Sequence, residues 1–294
     1  MIVVKLMGGL GNQLFQYAAA KSLAIKHRVD FKFDLSFLNE NPNGAYTKRN
    51  YELSVFNINE KFVSESELAK IKKIRDSKLL RNLSYKFPNL FSTYYGKETK
   101  HSFNEQFKHF PANTYLDGFW QSENYFKDVA QDIRNDLYFK PPINDQNQTF
   151  LQRIKQTNSI SIHVRRTDYV ANENVLNFHG ICTVDYYQKA LDTILQKVES
   201  PTLFFFSDDP KWVETNLKFN LPSFYIDFNT GEKSYEDLRL MSACKHHIIA
   251  NSSFSWWGAW LNPSKEKIVI APKTWFADTS IDTSDVIPTD WIKI

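Results

Sequence analysis

Apolar and polar positions alternate along this chain in short runs, and most runs lead into a segment of helical spacing. "IVVKL" passes through "MGGLGNQ" into "LFQYAAAKSLAIKH", where apolar residues recur at three- and four-residue steps. That is a strand, a tight loop and a helix. "VDFKFDLSF" reads as the next strand. The stretch from about Phe62 to Phe87 reads as helical and basic, and "NTYLDGFWQSENYF" as a strand and an aromatic turn before the helix "KDVAQDIRNDL". "KPPINDQNQ", with Pro141 and Pro142, reads as a linker. The cycle then restarts: "SISIHV", "LFFF", "FYI", "HHIIA" and "KIVIA" are strands, with helical segments between them. Strands alternating with helices predict parallel sheets. Two such series predict two doubly wound α/β domains, residues 1–145 and 146–294, with ligands beyond the carboxyl ends of the strands.

One strand is more informative than the rest. In "SISIHVRRTDY", Ile160, Ile162 and Val164 share one face, and Ser161, His163 and Arg165 the other. Arg166 has the parity of the apolar set or has already left the sheet. The two arginines should therefore do different work.

Composition narrows the class. The 294 residues are 42% apolar and 23% charged with a net charge of +3, which suits one large or two ordinary soluble domains and gives no footprint for nucleic acid. "LFFF" and "IVIA" are far too short to span a bilayer. The amino terminus runs straight into a glycine loop and reads as the first strand, not as a signal peptide. Cys182 and Cys244 read as two reduced thiols of a cytoplasmic protein. No Cys/His cluster has metal-site spacing, and His246–His247 reads as structural.

The candidate chemistry lies in the loops after the strands of the second half: "RRTDY", "SDDP", "DFNTGEKS" and "NSSFS". "NSS" before "FSWWGAW" joins hydroxyls, backbone amides and the positive end of a helix, which is an anion site. Arg165 is a planar fork suited to phosphate. Together they describe a pocket for a diphosphate. Each feature also has a structural reading: Ser252 or Ser253 as a helix cap, Asp209 as a cap before Pro210, Ser234 and Asp237 as a capping box, His163 as a satisfied buried histidine, Arg166 and Asp168 as a local ion pair. Their convergence on one sheet edge favours the ligand.

The first half adds three candidates. In "GGLGNQLF", Gly9 and Gly11 fit a dinucleotide fingerprint and Asp34 lies at a suitable distance, but Leu14 replaces the third glycine, which speaks against a dinucleotide cofactor. Asn12 and Gln13 still offer side-chain donors there. Trp120 beside Gln121 is a candidate sugar platform, whereas Trp256, Trp257 and Trp260 read as packing. The basic helix from Lys70 to Lys86 is either a solvated face or a contact for an anionic membrane surface or a lipid-linked acceptor.

"GGLGNQLFQYA", "FWQSENYF", "IHVRRTDYV", "FFFSDDP" and "IIANSSFSWWGAWL", spread in order over residues 8–261, resemble the α-1,2-fucosyltransferases of glycosyltransferase family 11. The H-x-R-R-x-D element resembles that of other GDP-fucose-dependent transferases. The resemblance implies a GT-B-like fold: two Rossmann-like domains facing across a cleft, the first mainly for the acceptor and the second for the donor. It implies that His163 and Asp237 serve the guanine and ribose side of GDP-fucose, that Arg165 contacts the β-phosphate, and that Asn251, Ser252, Ser253 and Phe254 close the pyrophosphate and base pocket. Asn12, with Gln13 beside it, would reach toward the donor, and Arg166, Asp168, Asp208 and Asp209 would mainly hold the donor loops. Arg165 then neutralises the leaving GDP, and Arg166 braces the loop that aims it.

The implied reaction is inverting transfer of L-fucose from GDP-β-L-fucose to the 2-hydroxyl of a terminal β-galactose, in a glycan or a lipid-linked oligosaccharide such as an O-antigen repeat. No cofactor is implied: the chain has no D-x-D at a donor strand end, and arginine with a helix N-terminus can replace a metal. Glu173 is the best-placed carboxylate for a base, followed by Asp168 and His179. The competing classes are a fucosyltransferase of other regiochemistry, a sugar-binding protein without turnover, and a nucleotide-sugar oxidoreductase. The expected setting is the cytoplasm, with peripheral contact at the inner membrane face.

Overall fold

The structure is a computed structural model that describes residues 1–40, 48–166, 176–178 and 180–294. The chain divides into two units, Met1–Lys140 and Pro141–Ile294.

The first unit holds a parallel sheet in the order β2-β1-β4-β3, formed by β1 (Ile2–Lys5), β2 (Phe31–Asp34), β3 (Tyr94–Lys97) and β4 (Thr114–Asp117). Helix α1 (Leu10–His27) follows β1 and buries residues on almost every side, among them Leu14, Phe15, Ala18 and Ala19. An 18-residue helix so apolar belongs inside a layered fold rather than on its surface. The basic segment is two helices, α2 (Glu65–Asp76) and α3 (Lys78–Lys86). They part at Ser77, whose side chain accepts the Leu80 N–H and so caps α3. Helix α4 (Ala130–Asp136) closes the unit. Strand β3 carries no clear sequence signal because it is four residues long with Gly96 inside it. The glycine is required: a Cβ there would lie 2.8 Å from the Phe110 ring and 2.9 Å from the Thr114 methyl.

The second unit begins earlier than the linker reading placed it. Asn144 caps α5 (Asp145–Gln156) through the Asn147 N–H, so half of "KPPINDQNQ" is already helix. Around a six-stranded parallel sheet the order is β10-β9-β8-β5-β6-β7. The strands are β5 (Asn158–Val164), β6 (Pro201–Ser207), β7 (Ser223–Ile226), β8 (His246–Ile248), β9 (Val269–Ala271) and β10 (Ile292–Lys293). The helices between them are α6 (Val184–Leu195), α7 (Pro210–Asn216), α8 (Tyr235–Ala243) and α9 (Ser253–Leu261). From β5 the chain builds outward through β6 and β7, then returns to lay β8 on the other side of β5. That reversal is a topological switch point, and ligands of open α/β sheets bind beyond it.

The alternation read in β5 is real, but its polar face is not exposed. Ile160, Ile162 and Val164 enter a core with Leu203, Phe205, Ile248 and Ile270. On the opposite face Ser161 and His163 are buried as well, because a central parallel strand is covered on both sides. Ser161 is satisfied by His247 Nδ1 at 2.8 Å, and His247 Nε2 by Asn262 at 3.0 Å, which makes His247 structural. Cys182 and Cys244 are both free and buried. Among the described residues no helix is long and apolar enough to cross a membrane.

Candidate functional site

The carboxyl ends of β5, β6, β7 and β8 bring most of the second-half candidates together. Val164 pairs with Ser207, so Arg165 and Asp208 leave the sheet side by side. Arg165 Nη1 lies 3.4 Å from Asp208 Oδ2. Asp208 Oδ1 also accepts the Arg166 backbone N–H at 2.9 Å. One carboxylate thus orders the start of the loop that carries both arginines.

The two guanidinium groups then diverge. That of Arg166 stacks 4.0 Å over the Trp212 ring on α7, with Nε 3.9 Å from Asp209. Asp209 caps α7 through the Trp212 N–H, with Pro210 in the first turn, so its structural reading is the one observed. Arg166 is braced by α7, whereas Arg165 stays with Asp208 at the strand end. Trp212 was not a sequence candidate. The signal available was its position three residues after a cap, on the helix beside the arginine loop.

His163 lies one pleat before Arg165 on the same face of β5. Its imidazole is buried, its centroid is 5.9 Å from the Phe254 ring, and its Nδ1 has no hydrogen-bond partner among the described residues. Burial pushes its pKa down to about 4, and Arg165 adds to the depression while Asp208 opposes it. At neutral pH the ring is uncharged, with one nitrogen unused. An unpartnered polar atom this deep is costly unless something meets it.

Phe254 opens α9. Ser252 is the N-cap of that helix, yet its side chain makes no capping hydrogen bond. The first-turn amides therefore have no side-chain cap. Ser253 follows as the first helical residue. Asn251 is occupied differently: its amide reaches the carbonyls of Gly180 (3.4 Å) and Trp275 (3.3 Å), and Cys182 Sγ lies 3.6 Å from its oxygen. It fixes the loop rather than opening toward a ligand.

Asp237, in the first turn of α8, does not form a capping box, since Ser234 makes no side-chain cap. Its carboxylate instead accepts from Asn229 at 2.9 Å. Asn229 exchanges two 2.9 Å hydrogen bonds with Asn147 of α5. Burial pushes the Asp237 pKa up to about 7, with Glu236 and Asp227 adding repulsion and Asn229 opposing it. Asn229 sits inside the "DFNTGEKS" loop already singled out; Asn147 was hidden in the supposed linker. Asp168, Glu173 and His179 lie outside the described residues.

In the first unit the glycine loop and the aromatic turn meet. Gly8 has a positive φ of 72°, and a Cβ there would strike the Asn12 side chain. Asn12 Oδ1 accepts from Gln121 at 2.8 Å, which joins a donor candidate to an acceptor candidate. Gln13 is fully buried and donates to the carbonyls of Gly8 and Asn50 while accepting the Glu52 N–H, so its amide has nothing left for a ligand. Trp120 does not serve as an open platform: it is fully buried among Phe107, Phe110 and Tyr125. The residue that shapes this turn is Glu98, just past β3, which accepts the N–H groups of Phe119 (2.7 Å) and Trp120 (3.0 Å). Burial pushes its pKa up to about 7. It was missed with β3. Asp34 is fully buried and accepts from Tyr115 and the Ser36 N–H, so it is not open to a cofactor ribose.

Comparison with known proteins agrees with this chemistry. The profile of glycosyl transferase family 11 matches residues 1–294. An Escherichia coli alpha-1,2-colitosyltransferase is 34% identical over 301 residues, which cover 100% of this chain and 99% of its own. The Escherichia coli O-antigen biosynthesis glycosyltransferase WbnK is 35% identical over 98% of this chain and 99% of its own. A Bos taurus galactoside 2-alpha-L-fucosyltransferase is 25% identical over 53% of this chain and 45% of its own. Among solved structures, an Arabidopsis thaliana FUT1 variant in complex with GDP covers 91% of this chain and 69% of its own at a TM-score of 0.51 and 12% identity, a likeness of fold alone. The two parallel, doubly wound units are those of a GT-B-like fold.

Proposed function

The chain belongs to glycosyltransferase family 11, and from that premise we propose that it transfers L-fucose from GDP-β-L-fucose to the 2-hydroxyl of a terminal β-galactose, with inversion. The observation that carries this reading is the convergence, at the switch point of the second sheet, of Arg165, the uncapped start of α9 and a buried, neutral His163.

In the reaction the bond between the anomeric carbon and the β-phosphate oxygen breaks, and GDP leaves with the electron pair. The acceptor oxygen attacks from the opposite face, so the β-linked donor yields an α-linked product. Charge builds on the departing diphosphate. Arg165 and the first-turn amides of α9 are preorganised donors for it, and fixed donors stabilise charge more than mobile water does. Asp208 and the Trp212–Asp209 clamp on Arg166 hold the two arginines in place. His163 Nδ1 and the Asp237 carboxylate supply polar partners for the guanosine. The proton of the acceptor hydroxyl needs an acceptor, and Glu173 is the sequence candidate for it.

A second donor has a specific observation behind it. The colitosyltransferase relative aligns over the whole chain, whereas the fucosyltransferase relative aligns over half. Colitose is the 3-deoxy analogue of L-fucose, so a pocket built for one sugar ring admits the other unless it hydrogen-bonds O3. The test is to incubate the protein with GDP-fucose, GDP-colitose or GDP-mannose and a panel of galactose-terminated acceptors, then read linkage and anomeric configuration by NMR. Fucose α-linked to O2 of galactose is the expected product. Transfer only from GDP-colitose reassigns the donor. Transfer to another hydroxyl overturns the α-1,2 assignment. No GDP release from any pair leaves a sugar-binding protein.

A further inference from the structure

Helix α3 shows part of its apolar side to solvent. In a surface helix the apolar stripe faces the core and the polar face meets water. Here the inward side carries Ser84, fully buried, and Arg81, whose guanidinium lies 6.0 Å over the Tyr95 ring and donates to the Arg75 carbonyl. The outward side carries Leu79, 69% exposed, and Leu83, 36% exposed, one turn apart. Past the helix Phe87 (45% exposed) and Leu90 (79% exposed) extend the same apolar display. This turn is fixed in position, since Asn113 donates to the carbonyls of Pro88 (3.1 Å) and Phe91 (2.8 Å).

Positive charge is concentrated in the same stretch of sequence. Lys70, Lys72, Lys73, Arg75, Lys78, Arg81 and Lys86 fall within 17 residues whose single acid is Asp76. Asp76 is paired with Arg75 at 2.7 Å. Lys73, Lys78 and Lys86 are exposed, and Lys86 Nζ lies 5.4 Å over the Phe87 ring. Apolar side chains held outward beside the exposed Lys78 and Lys86 are complementary to a surface that is anionic outside and apolar beneath. A soluble protein partner of equal charge would not offer the apolar depth. We propose that the outward face of α3 and the Phe87–Leu90 turn dock this protein on an anionic lipid bilayer. The proposal stands on this surface alone and is independent of the donor and acceptor assigned above.

The test is co-sedimentation of the full chain with vesicles of phosphatidylcholine alone or mixed with phosphatidylglycerol. Binding to the mixed vesicles, weak binding to the neutral ones, and release by salt are expected. Each cation at such a surface is worth roughly five-fold in affinity, so Lys78→Glu with Lys86→Glu should weaken binding by well over an order of magnitude. Leu79→Ser with Leu83→Ser should weaken it about ten-fold even in low salt. Both double variants should keep wild-type melting curves and wild-type turnover on a soluble acceptor. The salt titration of the wild type needs no variant and guards against misfolding. Absence of binding to anionic vesicles, equal binding to both vesicle types, or full binding by the leucine variant overturns the proposal. So does a wild-type dimer that the leucine variant dissolves without any vesicle binding, because a second copy then covers the face.

Discussion

Arg165 stands beside Asp208 because β5 and β6 pair in parallel with Val164 opposite Ser207. Register, not loop chance, puts the guanidinium 3.4 Å from the carboxylate. The same carboxylate holds the Arg166 N–H, so the next guanidinium starts from a fixed point and turns toward Trp212.

The two arginines should therefore fail differently. Arg165→Lys keeps the charge and loses the fork, and loss of one oriented donor costs on the order of 10²–10³ in turnover. Its melting temperature should barely move. Arg166→Lys keeps the charge but loses the planar guanidinium stack on Trp212, worth about 1 kcal/mol, which lowers the melting temperature by roughly 2–4 °C in a domain of this size, with a smaller effect on turnover. Calorimetry and initial rates decide it; interchangeable profiles for the two variants would falsify the division of labour.

Ser252 and Ser64 test what the start of α9 is for. Ser64 caps α2 in a full capping box with Glu67, so Ser64→Ala should cost about 1 kcal/mol of stability. Ser252 occupies the same position on α9 without capping it. Ser252→Ala should leave stability unchanged and weaken GDP binding. A stability loss at Ser252 equal to that at Ser64, with unaltered GDP affinity, returns it to a structural role.

Asp237 gives a pH signature. Its carboxyl titrates near 7 in the folded protein because burial disfavours the charge. In the proposed donor site the ionised form accepts hydrogen bonds from guanosine, so GDP affinity should rise as pH increases through about 7 and fall below it. Stability has the opposite sign. Between the ordinary value of 3.8 and about 7 the native state holds the proton more tightly than the unfolded chain, so stability declines as pH rises through that window. Asp237→Asn should flatten both slopes. Calorimetric titration of wild type and variant across the window cancels the phosphate's own ionisation, and parallel curves would remove Asp237 from the donor site.

Turnover should survive EDTA. Asp208 is held by Arg165 and the Arg166 N–H, and Asp209 by the first turn of α7, so both carboxylates have protein partners where a metal would need them. Rates before and after chelation provide the measurement. Loss of activity that Mn²⁺ restores would reassign the pair as ligands.

These sites differ in how far the sequence reveals them. Parity along β5 separates Arg165 from Arg166, because a period of two is a property of any strand. The strand-end loops likewise single out Asp208 and Ser252, and Asp237 follows one of them in the first turn of α8. What parity cannot show is burial on both faces, which encloses the His163 ring and keeps it neutral. Nor does residue type reveal occupancy. Gln13, Asn251 and Trp120 have the right chemistry for a ligand, yet the backbone uses the first two and an aromatic cluster encloses the third. Glu98 and Asn147 were invisible because their elements were: β3 is too short to carry a pattern, and Asn147 lies in a helix whose first residues resemble a linker.

The first unit supplies the last prediction. Asn12 and Gln121 were expected to act separately, one on the donor and one on the acceptor, but their side chains share a 2.8 Å hydrogen bond. Residues in one network are not additive. Asn12→Ala should free the Gln121 amide, and Gln121→Ala should free the Asn12 oxygen, so each single variant disturbs both groups. The double variant should then lose little more kcat/KM than the worse single one, with a coupling of about 1 kcal/mol. Trp120→Phe is the control. Its indole is enclosed and bears on packing alone, so it should lower the melting temperature and leave the acceptor KM within about two-fold. Strict additivity of Asn12→Ala and Gln121→Ala would separate the two residues again. A large KM effect from Trp120→Phe in a protein of unchanged stability would restore the tryptophan as a sugar contact.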